Sequence, residues 1–168
     1  MDVNIDKMNC NLSCFEELSP LKYFKQFNVY QDVALYTKNI TICNIESTTP
    51  NIEVCSTKII DTKIIKTMQG TSLEGQHLSG KKLIIVGTVN LSLVLEYYVN
   101  CKRSKGLNKN EILKVSIPFS TFIIIPKETC DQEQVNLKYL IEDVTVANIS
   151  LDKIFISVTM LMQYIDEY

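Results

Sequence analysis

Residues 68–99, MQGTSLEGQHLSGKKLIIVGTVNLSLVLEYYV, decide the fold. The first part is a polar loop punctuated by Gly70, Gly75 and Gly80. From Leu83 onward the odd positions run Leu83, Ile85, Gly87, Val89, Leu91, Leu93, Leu95, Tyr97 and Val99, interleaved with Thr88, Asn90, Ser92 and Glu96. That is a period of two with one wet face, the signature of a β-strand lying on a core. The strand is long enough to cross a whole sandwich, and Gly87 marks a bend or a bulge. Gly75, Gly80 and Gly87 are therefore read as backbone turn positions.

Working outward, the C-terminal side repeats the same grammar. Asn100–Glu111 forms a basic hairpin loop, with Lys102, Arg103, Lys105 and Lys109 at its tip. Residues 112–125 alternate through Val115, Ile117, Phe119, Thr121, Ile123 and Ile125, and Pro118 in their midst implies an edge position or a bulge. A polar loop follows Pro126. Residues 135–149 alternate as Val135, Leu137, Tyr139 and Ile141, then slip phase at Glu142-Asp143 to Val144 and Val146, which predicts a bulge or tight turn. The last strand places Ile154, Ile156, Val158, Met160, Met162 and Tyr164 on one side.

On the N-terminal side, residues 1–15 are read as a flexible, cysteine-bearing arm and 16–168 as one domain. Ser13 with Glu16, and Ser19-Pro20, give weak helix-start signals, so 14–27 is expected to hold one or two short helical turns with Phe15, Leu18, Leu21 and Phe24 on one face. Segment 28–45 is strand-like and ends in the turn cluster 46–50. Residues 51–67 are rich in β-branched side chains, and Lys58, Asp61, Lys63 and Lys66 point to an edge or a solvated face. The expected fold is all-β, an antiparallel β-sandwich with a short helical N-terminal segment.

Composition agrees. The chain has 168 residues, no Trp and 21% charged residues, with a net charge of −2. At this length roughly two-thirds of the unfolded surface is buried in one core. The charge balance implies no attraction to nucleic acid or anionic membrane. No apolar run reaches the roughly 20 residues of a membrane-spanning helix, and the start, MDVNIDKMNCNLSC, lacks the basic flank and apolar core of a secretory signal. Synthesis in a cytoplasm is expected.

Catalytic readings fail on residue type. Gly75–Lys82 nearly spells a phosphate-binding loop, but Lys82 stands where Ser or Thr must hold magnesium, and a strand follows where a helix is required. Glu142 and Asp143 are neighbours on a strand and diverge. His77 has no nucleophile within motif spacing. The Asn-x-Ser/Thr triplets at Asn11, Asn39, Asn90 and Asn148 carry no glycan without a secretory signal. No enzyme activity, cofactor, metal or small-molecule substrate is expected. The six cysteines, Cys10, Cys14, Cys43, Cys55, Cys101 and Cys130, have no zinc-type pairing. They are either buried or idle thiols, or thiols made in a reducing compartment and oxidised after release. On the second reading Cys10, Cys14, Cys101 and Cys130 are the candidates for bonds between subunits.

Glu74-Gly75-Gln76, Leu78, Gly80-Lys81-Lys82, Gly87 and Glu96-Tyr97, with IPFSTFIIIP at 117–126 and VNLKYLIEDVTVANISLDKIFISVTM at 135–160, resemble the SPOCS domain, a family found in spore coat proteins. The likeness spans about residues 25–163. It implies a non-catalytic role in assembling outer spore layers, and deposition on the spore surface from the mother-cell cytoplasm. The chain then reads as a self-assembling structural subunit of a coat, exosporium or appendage, with itself as partner. The alternative is an adaptor docking on another spore coat protein.

Overall fold

The structure, a computed structural model, describes residues 3–8, 22–35, 40–62, 79–99, 108–130, 134–150 and 152–165. Eight strands make two sheets: β1 Val3–Lys7, β2 Phe24–Ala34, β3 Ile40–Ser47, β4 Asn51–Asp61, β5 Lys81–Val99, β6 Asn108–Ile124, β7 Val135–Ser150 and β8 Lys153–Tyr164. The first sheet has the order β1-β7-β8-β2. The second is built on β5, which pairs with β6 on one side and with β3 and β4 end to end on the other. Among the described residues no helix is long and apolar enough to cross a membrane.

One core lies between the sheets, giving a sandwich-like packing. The odd side chains of β5 (Leu83, Ile85, Val89, Leu91, Leu93, Leu95, Tyr97) meet Ile154, Ile156, Val158, Met160 and Met162 of β8 in one buried cluster. β6 adds Val115, Ile117, Phe119 and Ile123, and β7 adds Val135, Leu137 and Tyr139. Each fully buried aliphatic side chain contributes roughly 1.5–3 kcal/mol. Phe27 on β2 reaches Phe119 on β6, their ring centres 5.5 Å apart, and ties the two sheets together at one side.

The expected alternation holds along β5, β6 and β8, and the phase slip of β7 falls between Ile141 and Asp143 as a register shift against β8. The structure differs from expectation in four places. The expected short helical segment, 14–27, is not seen: Phe24–Phe27 open β2, paired with Gln163–Met160, while 14–21 lie outside the described residues. Phe24, expected on a helical face with Phe15, Leu18 and Leu21, lies in a strand, and pairing along the whole of β8 holds 24–34 extended. Val3–Lys7, expected within a flexible arm, is strand β1, with Val3 and Ile5 packed against the core. It runs parallel to β7, so the sheet is not purely antiparallel. Segment 28–45 divides between the two sheets, as β2 and β3. Finally, Asn108–Glu111, expected in the basic loop, already belongs to β6 and pairs with Tyr98–Leu95.

Candidate functional site

β3 and β4 act as one interrupted strand along β5. Ser47 faces Leu93 and Asn51 faces Asn90, so the intervening Thr48, Thr49 and Pro50 form a break. Pro50 cannot donate to a ladder, and the break removes the need for it. Thr48 repairs the gap: its N–H donates to Ser92 O at 2.9 Å, and its Oγ1 accepts from Ser92 N–H at 2.9 Å. Beside the break a shallow cleft of about 330 Å³ is lined by Thr48, Asn90, Ser92, Lys114 and Ser116, among others. Among its described lining residues Lys114 is the one charged group, with no carboxylate to act with it as an acid–base pair.

Two bulges flank the break, and each is centred on a cysteine. Register shifts between Ile42 and Asn44, leaving Cys43 as the extra residue, and between Val54 and Ser56, leaving Cys55. Both thiols are exposed and free. Cys43 donates weakly to Thr41 O at 3.5 Å. Gly87 explains the second bulge: a Cβ there would lie 2.5 Å from Glu53 O and 2.8 Å from the Phe119 ring. Only a residue without a side chain lets the β4 backbone come this close. Among the described residues no strand pairs with the outward edge of β3 or β4. The site is thus a sheet edge unpaired among the described residues, with two exposed thiols on it.

A second cluster fixes the start of β5. Gly80 has φ of 88°, in the left-handed region that favours glycine. Its carbonyl accepts from Thr62 N–H at 2.6 Å and Thr62 Oγ1 at 3.0 Å. Ser79 Oγ donates to Ile125 O at 2.5 Å and accepts from Lys81 N–H at 3.1 Å. Lys81 Nζ donates to Thr129 O at 2.6 Å, and Lys82 Nζ lies 4.3 Å from the centre of the Phe122 ring. Both lysines read above against a phosphate-binding loop are occupied in holding strands and loops. They do not converge on a ligand.

The other sequence-level candidates are dispersed. Cys130 is exposed and free, with Sγ 3.7 Å from Glu128 O. Cys10, Cys14, Cys101, Gly75 and His77 lie outside the described residues. Glu142 accepts from Gln26 Nε2 at 2.6 Å and Asp143 from Thr145 Oγ1 at 2.7 Å, each held by a surface neighbour. No group of three or more metal-ligating side chains occurs among the described residues. Sequence reasoning passed over Cys43 and Cys55. Their signal was present, since Ile42 and Ile45, like Val54 and Thr57, are three apart where an unbroken strand keeps its inward residues two apart. Comparison of the chain with family models, curated proteins and solved structures finds no match.

Proposed function

We propose that the chain is a self-assembling structural subunit of a bacterial spore outer layer (coat, exosporium or appendage), with subunits joined by disulfides between copies. The observation that carries this reading is the open β3–β4 edge, with Cys43 and Cys55 exposed on it and neither bonded within the chain. Unpaired edges are a template for adding another chain, and the two bulges and Pro50 narrow which chain can add here. The likeness of the segments around Gly75–Lys82, 117–126 and 135–160 to the SPOCS domain supplies the spore setting. Mother-cell synthesis followed by oxidation on the spore surface accounts for free thiols in a chain whose use for them comes later. Cys10, Cys14, Cys101 and Cys130 remain the candidates for links beyond the edge.

An adaptor that docks on another coat protein is the second reading. It draws on β2, an edge strand of the first sheet, where Tyr30 is 71% exposed and stacks on Phe155 at 6.2 Å. Strand addition there would recruit an extended segment of a different protein. Electron microscopy and light scattering of the purified chain, with and without reductant, separate the two. Rings, sheets or filaments that loosen with reductant support the structural subunit. A monomer that persists at high concentration under mild oxidant refutes it in favour of the adaptor.

A further inference from the structure

The break at Thr48–Pro50 lies almost midway between the two cysteine bulges, since Cys43 and Cys55 are each six residues from Thr49. An edge with this near-symmetry can meet a reversed copy of itself. In an antiparallel pairing about a two-fold axis normal to the sheet, every residue keeps its face, and each contact occurs twice. The registers against β5 fix which faces match. Ile45 and Ile52 point inward with Leu95 and Val89, whereas Asn44, Glu46 and Glu53 stand opposite the outward Glu96, Val94 and Thr88.

We propose that the β3–β4 edge is an isologous interface for a second copy of this chain, in the register that sets Ile45 opposite the partner's Ile52. That register is chosen by its chemistry. It sets Asn44 opposite Glu53 of the other copy and Glu46 opposite Asn51, two carboxamide–carboxylate pairs on each half of the interface. Within the single chain Asn44 Nδ2 donates to Glu46 Oε1 at 3.2 Å. Glu53 Oε2 accepts from Asn90 Nδ2 at 3.4 Å and Asn51 Oδ1 accepts from the Tyr139 hydroxyl at 3.4 Å, so Glu53 Oε1 and Asn51 Nδ2 are the atoms offered to the partner. Sliding two positions one way would instead set Glu46 against Glu53, two like charges directly opposed; sliding two the other way would set Ile45 against Pro50 and lose both carboxamide–carboxylate pairs. At the centre Thr48 meets Thr49, and Pro50, lacking an N–H, meets Ser47.

The same register carries the thiols together. Cys43 falls opposite Val54 and so one position from the partner's Cys55. Strand spacing of about 4.8 Å and a rise of about 3.3 Å per residue put the two Cα atoms roughly 5.8 Å apart. Neighbouring positions in a regular ladder point to opposite faces, but each cysteine is the extra residue of a bulge, which re-aims its side chain. The Cα separation lies within the roughly 4.4–6.8 Å span of disulfides. Oxidised glutathione can close the bond: one thiolate displaces glutathione, the second displaces the protein sulfur's glutathione partner, and two reduced glutathiones leave with the electrons and protons. Two such bonds form per interface, each between unlike positions.

This inference rests on the self-assembly reading, and its test keeps the two apart. A full-length chain with Cys10, Cys14, Cys101 and Cys130 changed to Ser retains Cys43 and Cys55, and is treated with oxidised glutathione. A dimer on a non-reducing gel is expected, absent when either Cys43 or Cys55 is also changed to Ser. A dimer that forms with only one of the two thiols would overturn the register. Independently, sedimentation should show Asn44→Glu weakening the dimer at least tenfold by opposing Glu53, and Asn44→Glu with Glu53→Gln restoring it. Assemblies that ignore Asn44→Glu and link without Cys43 or Cys55 would refute the edge while leaving self-assembly standing. A chain that stays monomeric throughout refutes both.

Discussion

Gly87→Ala tests whether close backbone approach at the β4 bulge, and not strand preference, dictates the glycine. The added Cβ would sit 2.5 Å from Glu53 O and 2.8 Å from the Phe119 ring, where ordinary contact begins at 3.4 Å. The ring edge can swing aside, but the carbonyl is part of the β4 ladder and must retreat by roughly 0.9 Å against it. Overpacking of this kind costs about 1–3 kcal/mol. Alanine regains about 0.4–1 kcal/mol by restricting the unfolded chain. The net expectation is a loss of about 1–2 kcal/mol, which for a chain of this length lowers the melting temperature by about 2–8 °C. Calorimetry or a thermal scan at fixed pH reads it. Adding Phe119→Leu should restore little, with a coupling below about 0.5 kcal/mol, because the carbonyl remains. A melting temperature equal to or above wild type, or full rescue by the ring truncation, would refute the reasoning. The altered bulge should also change the rate at which Cys55 reacts with a thiol reagent.

Leu93 is fully buried at the centre of the core, so Leu93→Ala should cost about 2–5 kcal/mol by denaturant titration, and a change near zero would place this strand outside the core. Gly80→Ala forces a side chain onto a φ of 88°; a loss of about 1–2 kcal/mol is expected in the same assay, and a neutral result would show that the turn rearranges. Ser79→Ala removes both the donor to Ile125 O and the acceptor for Lys81 N–H; about 1–3 kcal/mol should be lost, with faster amide hydrogen exchange at Lys81.

What was legible in the sequence was whatever depends on period alone. Leu83–Tyr97 and Ile154–Tyr164 each keep one set of side chains, two residues apart, in the core along their length. The slip at Glu142-Asp143 announced its bulge because apolar residues flank it on both sides. The N-terminal third was harder for a physical reason. β1 is five residues long, and its Val3 and Ile5 gain meaning only from β7, more than a hundred residues away. Phe24 fits a helical stripe with Phe15, Leu18 and Leu21 as well as it fits a strand, and the partner β8 decides for the strand. The two cysteine bulges are written as three-residue spacings of inward residues, a mark of strand phase and not of zinc-site or chain-end thiol chemistry. Edge position itself is a tertiary property and leaves no local mark.

The bulges on β3 and β4 also constrain what can be built. A straight strand laid along this edge meets interruptions at Cys43, at Pro50 and at Cys55, so most foreign strands lose their ladder within a few residues. A reversed copy meets each interruption with one of its own, which makes the edge selective as well as open. A two-fold contact, however, closes on itself and cannot extend an assembly. Growth into a layer or filament needs a second, unlike contact, for which Cys10 and Cys14, with Cys101 and Cys130, are the proposed thiols. The two contacts should therefore fail separately. Replacing Cys10 and Cys14 by Ser should stop oxidised assembly at the dimer, leaving one non-reducing band above the monomer. Replacing Cys43 and Cys55 should leave a ladder of links through the remaining thiols. If the first variant still forms a full ladder, extension runs through Cys101 or Cys130 instead. If it falls back to monomer, the edge does not hold two copies together, and the two-contact scheme is wrong.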